Sequence, residues 1–200
     1  MDRSHTDESV EYIPSDDKKW FVLRASYGRE NKAQEYFLGD GTFCYVPRRC
    51  EHAHKDGITE DVYRNLIPNI IFVYATPEKV DEYVRRTPIL SSYLSYYYDH
   101  FDIRNGVNPP LTIPRERMEN FIRATAPMNE HVMMIEPSQC HYRGDEIVKV
   151  TEGIFKDVEG RRARVAGQTR VVFNMPGLGL VSTAYVPTGC MEVISKGGAV

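Results

Sequence analysis

Ile67-Pro68-Asn69-Ile70-Ile71-Phe72-Val73-Tyr74-Ala75 places a proline–asparagine pair directly before the longest apolar run of the chain. Six consecutive apolar residues are too few to cross a membrane, which takes about 18 or more. Such a run suits a strand that is buried on both faces of a sheet. Alternation along the strand predicts that Ile71 and Val73 face one side and that Ile70 and Phe72 face the other.

The segments that flank this strand predict further parts of the same sheet. Trp20-Phe21-Val22-Leu23 and Thr42–Val46 have the apolar content of strands, and Asn31–Leu38 has the spacing of a helix. The segment from Arg48 to Leu66 is polar, and Asp56-Gly57 at its middle is typical of a hairpin turn. We therefore expect a hairpin between the second strand and the central apolar strand.

Two prolines predict where further helices begin. Thr76-Pro77 has the order of a capping residue followed by proline, which favours the first helical turn. Pro114 should open another helix, with Met118, Phe121 and Ile122 on its inward face. The predicted order is β-α-β-hairpin-β-α over about 110 residues. This order predicts an antiparallel sheet with helices packed on it.

The pattern changes after residue 142, where short β-type runs alternate with turns centred on glycine. The runs are Ile147–Val150, Arg161–Val165, Arg170–Phe173, Leu180–Val186 and Met191–Ile194. Five short strands in about 55 residues favour a small closed barrel, because an open sheet of that size would leave its edges exposed. The predicted fold class is α+β: an N-terminal antiparallel sheet with flanking helices, followed by a small β-barrel.

Charge and composition divide the chain into segments. The predicted divisions are a disordered acidic tail at 1–17, a first domain at 18–126, a linker at 127–141, the barrel at 142–196 and a short tail at 197–200. The first 17 residues hold six acidic side chains against Arg3 alone. The remaining chain has 24 basic and 22 acidic side chains, and a mildly basic fold suits a protein that works beside nucleic acid.

Several functional classes have no support in the sequence. A signal peptide is absent, and four irregularly spaced cysteines do not form a disulfide framework, so we expect a cytoplasmic protein without membrane contact. A P-loop, a nucleophile elbow, a dinucleotide fingerprint and an HExxH motif are also absent. We therefore predict no enzyme activity, no catalytic residues and no cofactor.

A zinc site is conceivable but is not predicted. Cys50, His52 and His54 are spaced for one face of a strand, and Cys44 lies nearby in the sequence. Structural zinc sites normally pair their ligands as C-x-x-C or H-x-x-x-H, and this spacing is missing. The sequence-based expectation is therefore no metal.

The first runs of the chain and its central strand carry a family resemblance. Trp20-Phe21-Val22-Leu23, with Gly28, Glu30, Lys32 and Ala33 after it, resembles the opening strand and helix of the NusG N-terminal domain. The stretch from Ile67 to Val73 resembles that domain's proline-centred strand. General NusG proteins usually have Pro-Gly-Tyr there, whereas Pro68-Asn69 with Phe72 is closer to RfaH-like specialised paralogues.

The second half of the chain extends the resemblance. The segment from Val148 to Phe155, continuing to Gly160, is similar to the KOW motif of an SH3-like barrel. Its expected structural residues are Val148, Val150, Gly153, Phe155 and Gly160. Val148 and Val150 should point inward, Gly153 should allow a turn and Phe155 should fill the core. A generic glycine-rich hairpin is the alternative interpretation of this segment.

A specialised subgroup is also indicated. Leu111-Thr112-Ile113-Pro114, leading into Met118–Ile122, resembles the UpxY group, NusG-like antiterminators linked to bacterial surface-polysaccharide operons. The resemblance implies a transcription antitermination or elongation factor that binds the RNA polymerase clamp and suppresses pausing or early termination. For the barrel it implies a ribosomal small-subunit protein or Rho as a partner. An RNA-binding or ribosome-associated KOW protein without polymerase contact is the alternative.

The resemblance also implies which residues make contacts. The expected polymerase-binding residues are Ile67, Pro68, Ile70 and Phe72, with Tyr27 and Gly28 as neighbours. The expected contacts to non-template DNA or nascent RNA are Arg24, Arg29, Arg48, Arg49, Lys55 and Arg64. The alternatives are that the apolar set is simply core and that the basic set is a solvated surface.

Overall fold

The computed structural model describes residues 10–55, 58–101, 103 and 106–196. The predicted turn residues Asp56-Gly57, the first nine residues and the tail at 197–200 lie outside the described residues. The chain divides into two compact units. The first unit comprises Met1–Val46 and Asn69–Thr112, and the second comprises Pro47–Pro68 and Ile113–Val200.

The strands, in chain order, are β1 (Lys19–Ala25), β2 (Cys44–Tyr45), β3 (Arg48–Lys55), β4 (Ile58–Asn65), β5 (Ile70–Ala75), β6 (Leu94–Tyr96), β7 (Thr112–Ile113), β8 (Met133–Ile135), β9 (His141–Val150), β10 (Glu159–Val165), β11 (Gln168–Met175), β12 (Gly179–Ser182) and β13 (Met191–Lys196). The α-helices are α1 (Glu30–Gly39), α2 (Pro77–Asp81), α3 (Pro88–Ser91) and α4 (Arg115–Thr125). A π-helical turn at Glu82–Arg86 continues α2, and 3-10 turns lie at Ser26–Gly28, Pro137–Gln139 and Thr188–Cys190. In the described residues, none of the helices is long and apolar enough to span a bilayer.

The first unit is built on β5, which has the bounds that the sequence predicts. The strand order is β2-β5-β1-β6, and the strands pair antiparallel. Ile71 and Val73 belong to the core that α1 and α2 cover, where Phe37 and Tyr83 are also buried. Ile70 and Phe72 are not members of that core, as strand alternation predicts.

Residues 10–17 correct one expectation. Acidic composition predicts disorder there, but the Tyr12 ring packs on three aromatic rings of the first unit, with centroids 5.0 to 5.4 Å apart. Those rings belong to Trp20, Phe43 and Tyr74. The backbone N–H of Ser15 also donates to the Tyr74 hydroxyl, with 2.7 Å between the atoms. The packing of one aromatic ring on three others orders this segment, although its average acidic composition predicts disorder.

A buried phenol links the loop after α1 to the helices that follow β5. Tyr83 donates to the Asp40 carboxylate over 2.5 Å, and its oxygen lies 2.6 Å from the Thr42 hydroxyl. Burial raises the pKa of Tyr83 to about 12, so the phenol stays protonated and can donate. The Tyr83 hydrogen bond, followed by Lys79, lowers the pKa of Asp40.

We expect Tyr83→Phe to lower the free energy of unfolding by about 1–2 kcal/mol, because the change removes two hydrogen bonds. The pKa of Asp40 is depressed in the folded state, so this bond stabilises above the unfolded pKa of the carboxyl and is lost as the pH falls through the folded pKa. The difference between the two melting temperatures should therefore shrink on acidification, while the part due to the Thr42 hydroxyl remains. Tyr63→Phe, at an exposed tyrosine, is the control. A pH-independent difference would contradict the role of Asp40.

The second unit contains the predicted barrel strands as β9 to β13. The strand order is β13-β9-β10-β11-β12-β8, so the last strand pairs beside the first of the five. Together with the sheet and helices of the first unit, this all-β sheet confirms the α+β fold class. The extended piece expected at Val132–Ile135 appears as β8, and its pairing with β12 brings part of the predicted linker, 127–141, into the sheet.

Helix α4 lies with the second unit, although the predicted first domain runs to residue 126. Its Asn120 amide donates to the Glu159 carbonyl and accepts from the Glu159 N–H, both over 2.8 Å. Met118 and Phe121 are fully buried, as predicted, and Ile122 is half-buried. The paired hydrogen bonds to a strand backbone have no signal in the sequence.

Gly160 lies at a point of β10 where the backbone has no space for a side chain. An added Cβ would lie 2.6 Å from the Val172 carbonyl oxygen and 2.9 Å from a Val171 methyl carbon. Both neighbours belong to β11. The glycine therefore allows two strands of the sheet to approach closely.

We expect Gly160→Ala to lower the free energy of unfolding by about 1–3 kcal/mol, because the backbone of β11 must shift. Gly189→Ala is the matched control, since its added Cβ meets nothing within 4 Å. Chemical denaturation followed by circular dichroism measures both. Equal stability of the two variants would contradict the close approach at Gly160.

Candidate functional site

The turn between β1 and α1 is held by Asn69, the residue before β5. The Gly28 N–H donates to the Asn69 side-chain oxygen over 3.1 Å, and the Ala25 N–H donates to the Asn69 carbonyl over 2.9 Å. The Asn69 N–H in turn donates to the carboxylate of Glu30, which is buried at the start of α1. Asn69 adopts φ of 61°, a conformation that asparagine tolerates better than most residues. These bonds fix the Tyr27–Gly28 turn against the start of β5.

Tyr27 is strained and exposed at once. Its φ is 64°, in the left-handed region, and its side chain is 85% exposed. A residue in that conformation costs of order 1–3 kcal/mol, and the exposed ring recovers little of it by packing. Arg29 lies over the Tyr27 ring at 5.6 Å and over the Tyr93 ring at 5.2 Å. A strained, exposed aromatic residue beside a cation indicates a binding surface.

The other residues predicted to bind polymerase differ in accessibility. Gly28 and Pro68 are exposed, and Ile67 is half-buried. Ile70 is 4% exposed and Phe72 is 0% exposed. A partner cannot reach Ile70 or Phe72 in this conformation without a rearrangement. The exposed residues of the predicted set are therefore Tyr27, Gly28 and Pro68, and none of them lies in β5.

The basic residues predicted to contact nucleic acid fall in both units. Arg24 and Arg29 are exposed in the first unit, and Arg24 lies on β1 opposite Ile70 and Ser95. Tyr93, which stacks with Arg29, is buried, and this burial raises the pKa of its phenol. Arg24, Arg29 and Tyr27 lie within six residues of each other in sequence.

The β3–β4 hairpin of the second unit carries the rest of the predicted basic set. Arg49 and Arg64 lie opposite each other in the register, and both bind the Glu51 carboxylate over 2.7 Å. The hydrogen bond from Arg49, followed by that from Arg64, lowers the pKa of Glu51. Arg48 is half-buried, and the side chain of Lys55 lies outside the described structure. Glu51 therefore neutralises part of the charge expected to face nucleic acid.

The other face of the hairpin brings together a thiol, an imidazole and a carboxylate. Donor atoms of Cys50, His52 and Asp61 lie within 4.8 Å of one another. His52 Nδ1 is 2.7 Å from Asp61 Oδ1, and His52 Nε2 is 3.6 Å from Glu130 Oε2. Burial raises the pKa of the Cys50 thiol, and the neighbouring Asp61 raises it further.

Sequence reasoning found only part of this cluster. It placed Cys50 and His52 on one strand face but did not include Asp61 or Glu130. Counting outward from the Asp56-Gly57 turn would have paired His52 with Asp61, which is the observed register. Glu130 comes from the segment after α4, and its position depends on the tertiary fold.

The residues expected to form the KOW motif lie in β9, in β10 and in the turn between them. Val148, Val150 and Phe155 are buried in this unit, and Gly153 has φ of 82° in the turn after β9. Lys149 projects from the strand between the two valines and pairs with Asp157 over 3.0 Å. The segment therefore alternates two buried valines with a half-buried lysine.

A basic pocket lies on the same unit. Arg143, Arg162 and Arg164 line it together with small polar residues. Arg164 donates to the Gly167 carbonyl over 3.0 Å. Three guanidinium groups around one pocket favour an anionic ligand.

The sequence matches a known family over more than half of its length. A family model described as "Transcription termination factor nusG" matches residues 18–122. Similar proteins are the transcription termination/antitermination proteins NusG of Streptococcus pyogenes serotypes M3, M1 and M18. Each is 24% identical over 176 residues, which cover 82% of this chain and 91% of the relative.

Among solved structures, the chain is similar to one described as "Domain interaction in Thermotoga maritima NusG". The sequences are 18% identical, and the TM-score is 0.42. The match covers 89% of this chain and 98% of the other. Family membership rests on the sequence match, not on this likeness.

Proposed function

Because the chain belongs to the NusG family, we propose that it is a transcription antitermination and elongation factor that binds RNA polymerase. The observation that carries this proposal is the family match over residues 18–122, which contains the strained turn and the central strand. Binding that favours the elongating form of polymerase would suppress pausing or early termination by the difference in binding free energy. This mechanism needs no covalent chemistry.

The proposed first contact with the polymerase clamp is the exposed turn at Tyr27–Gly28 of the first unit. Tyr27 offers a large apolar ring that is already in place, because the Asn69 hydrogen bonds hold its turn. Aromatic residues of this kind contribute strongly to interfaces. Ile70 and Phe72 would join the proposed contact only after a rearrangement makes them accessible.

We expect Tyr27→Gly to weaken polymerase binding by about 2 kcal/mol or more, because it removes an exposed aromatic anchor. The same change should maintain or raise the melting temperature, since glycine adopts positive φ without strain. Ala166→Gly, at an exposed residue with φ of 48° in the second unit, is the matched control. Binding to purified polymerase can be measured by biolayer interferometry.

The outcomes separate the proposals. Loss of binding in Tyr27→Gly alone supports the turn as the contact. Normal polymerase binding by Tyr27→Gly would show that Tyr27 is not the contact residue. The proposal that the protein binds polymerase would still stand. If wild-type protein failed to bind polymerase, the proposed function would be wrong.

We further propose that the factor is a specialist for a surface polysaccharide operon, of the kind that the UpxY resemblance implies. Pro68-Asn69 and the segment at 111–122 support this subgroup. A specialist must recognise its own transcription complex, and exposed DNA or nascent RNA offers the sequence to read. Arg24 and Arg29 are exposed, and Arg29 lies over two aromatic rings, whereas the exposed Arg64 pairs with Glu51.

The double variant Arg24→Ala/Arg29→Ala should lower readthrough on a polysaccharide-type leader and leave clamp binding unchanged. The effect should be larger at low salt, because phosphate contacts release counterions. The matched control is Arg85→Ala/Arg86→Ala, which removes two exposed arginines that pair with Asp81 in the same unit. Readthrough assays on this leader and on an unrelated terminator measure the effect of each double variant. Equal wild-type activity on both templates would contradict the specialist proposal.

The basic pocket of the second unit favours a second candidate function. Arg143, Arg162 and Arg164 could bind RNA phosphates directly, as expected for an RNA-binding or ribosome-associated KOW protein. A ribosomal small-subunit protein or Rho remains the proposed partner of the barrel in the favoured function. Co-purification with ribosomes, and not with polymerase, would favour the second candidate.

A further inference from the structure

The β3–β4 hairpin presents two chemically different faces. Arg49, Glu51 and Arg64 form ion pairs with one another on the first face. Cys50 and His52 alternate with these residues along β3 and therefore project from the second face. Asp61 lies directly opposite His52 in the register, so its side chain shares that second face.

The donor atoms on the second face are already close together. Cys50, His52 and Asp61 each contribute one donor within 4.8 Å of the others. Around tetrahedral zinc, with bonds of about 2.0–2.3 Å, neighbouring donors lie roughly 3.3–3.7 Å apart. The remaining differences of about 1 Å are within the reach of side-chain rotation.

The charge on this face is also suited to a cation. In the described part of the chain, the ion pairs of Asp61 and Glu130 are with histidine rings. The hairpin arginines Arg49 and Arg64 instead bind Glu51 on the opposite face. Among these ion pairs, neither Asp61 nor Glu130 pairs with a lysine or an arginine.

The donor types select the class of ion. Calcium and magnesium take oxygen ligands, whereas a thiolate and an imidazole together favour zinc. We propose that Cys50, His52 and Asp61 form a binding site for a zinc-class divalent transition-metal ion. The site joins both strands of the hairpin.

The bound ion would act as a structural cross-link. An isolated two-stranded hairpin is marginally stable in water. One hydrogen bond already connects this hairpin to the segment that follows α4, from the Cys50 N–H to the Met128 carbonyl over 2.7 Å. The contact of 3.6 Å between His52 Nε2 and Glu130 adds a second connection two residues away. His52 and Asp61 are exposed, so a chelator can remove the ion.

Titration of the reduced, chelator-treated full chain with Co²⁺ and Zn²⁺ tests the site. We expect one ion per chain, a thiolate-to-Co²⁺ absorption band and displacement of Co²⁺ by Zn²⁺. Cys50→Ser should abolish the thiolate band, and Cys50→Ser and Asp61→Asn should each weaken affinity by about tenfold or more. Cys190→Ser and Glu60→Gln are the matched controls and should bind normally. Cys190 is a half-buried free cysteine, and Glu60 lies opposite Ala53 on β4.

Hydrogen exchange of the hairpin provides a second measurement. Zn²⁺ should slow exchange at 48–65 in the wild type and in Cys190→Ser, but not in Cys50→Ser. Circular dichroism spectra that match the wild type will show that the variants fold. Absence of binding, a thiolate band that survives in Cys50→Ser, or an equal loss in Cys190→Ser would overturn the proposal.

Discussion

Strand β5 is apolar on both faces, and the first unit depends on burying both of them. Ile71 and Val73 enter the core under α1 and α2, while Ile70 and Phe72 are buried on the other side. Each large apolar side chain contributes about 1.5–3 kcal/mol when fully buried. Pairing with β1 and β2 satisfies the backbone of the strand at the same time. This double burial explains why residues that the family resemblance places at a partner surface are inaccessible here.

The stability of this sheet allows strain to be held at its edge. Asn69 leads directly into β5, and its hydrogen bonds reach Ala25 at the end of β1, Gly28 in the next turn and Glu30 in α1. Tyr27 is consequently kept in a left-handed conformation with its ring in solvent. Rigid strands on either side of the strained turn hold it in one conformation, and preorganisation of this kind would lower the entropic cost of binding at the proposed contact.

The β3–β4 hairpin of the second unit has little apolar surface to bury. Strand alternation places two kinds of side chain on opposite faces of the hairpin. Arg49 and Arg64 contact Glu51 on one face, and the proposed metal ligands lie on the other. The first arrangement weakens the hairpin as a phosphate-binding surface, since Glu51 neutralises Arg49 and Arg64. On the second face, the contact between His52 and Glu130 attaches the hairpin to the rest of its unit without a hydrophobic core.

The sequence alone determined the features that depend on short-range periodicity. The bounds of β5, the sides on which its residues lie, the α+β class and the five strands β9–β13 all follow from local patterns. The Asp56-Gly57 turn likewise contains enough information to pair His52 with Asp61. Tertiary structure alone decided the packing of Tyr12 on Phe43 and Tyr74, the hydrogen bonds between Asn120 and Glu159, and the approach of Glu130 to His52. Those contacts join residues far apart in the chain, and a single side chain with a specific partner leaves no periodic signal.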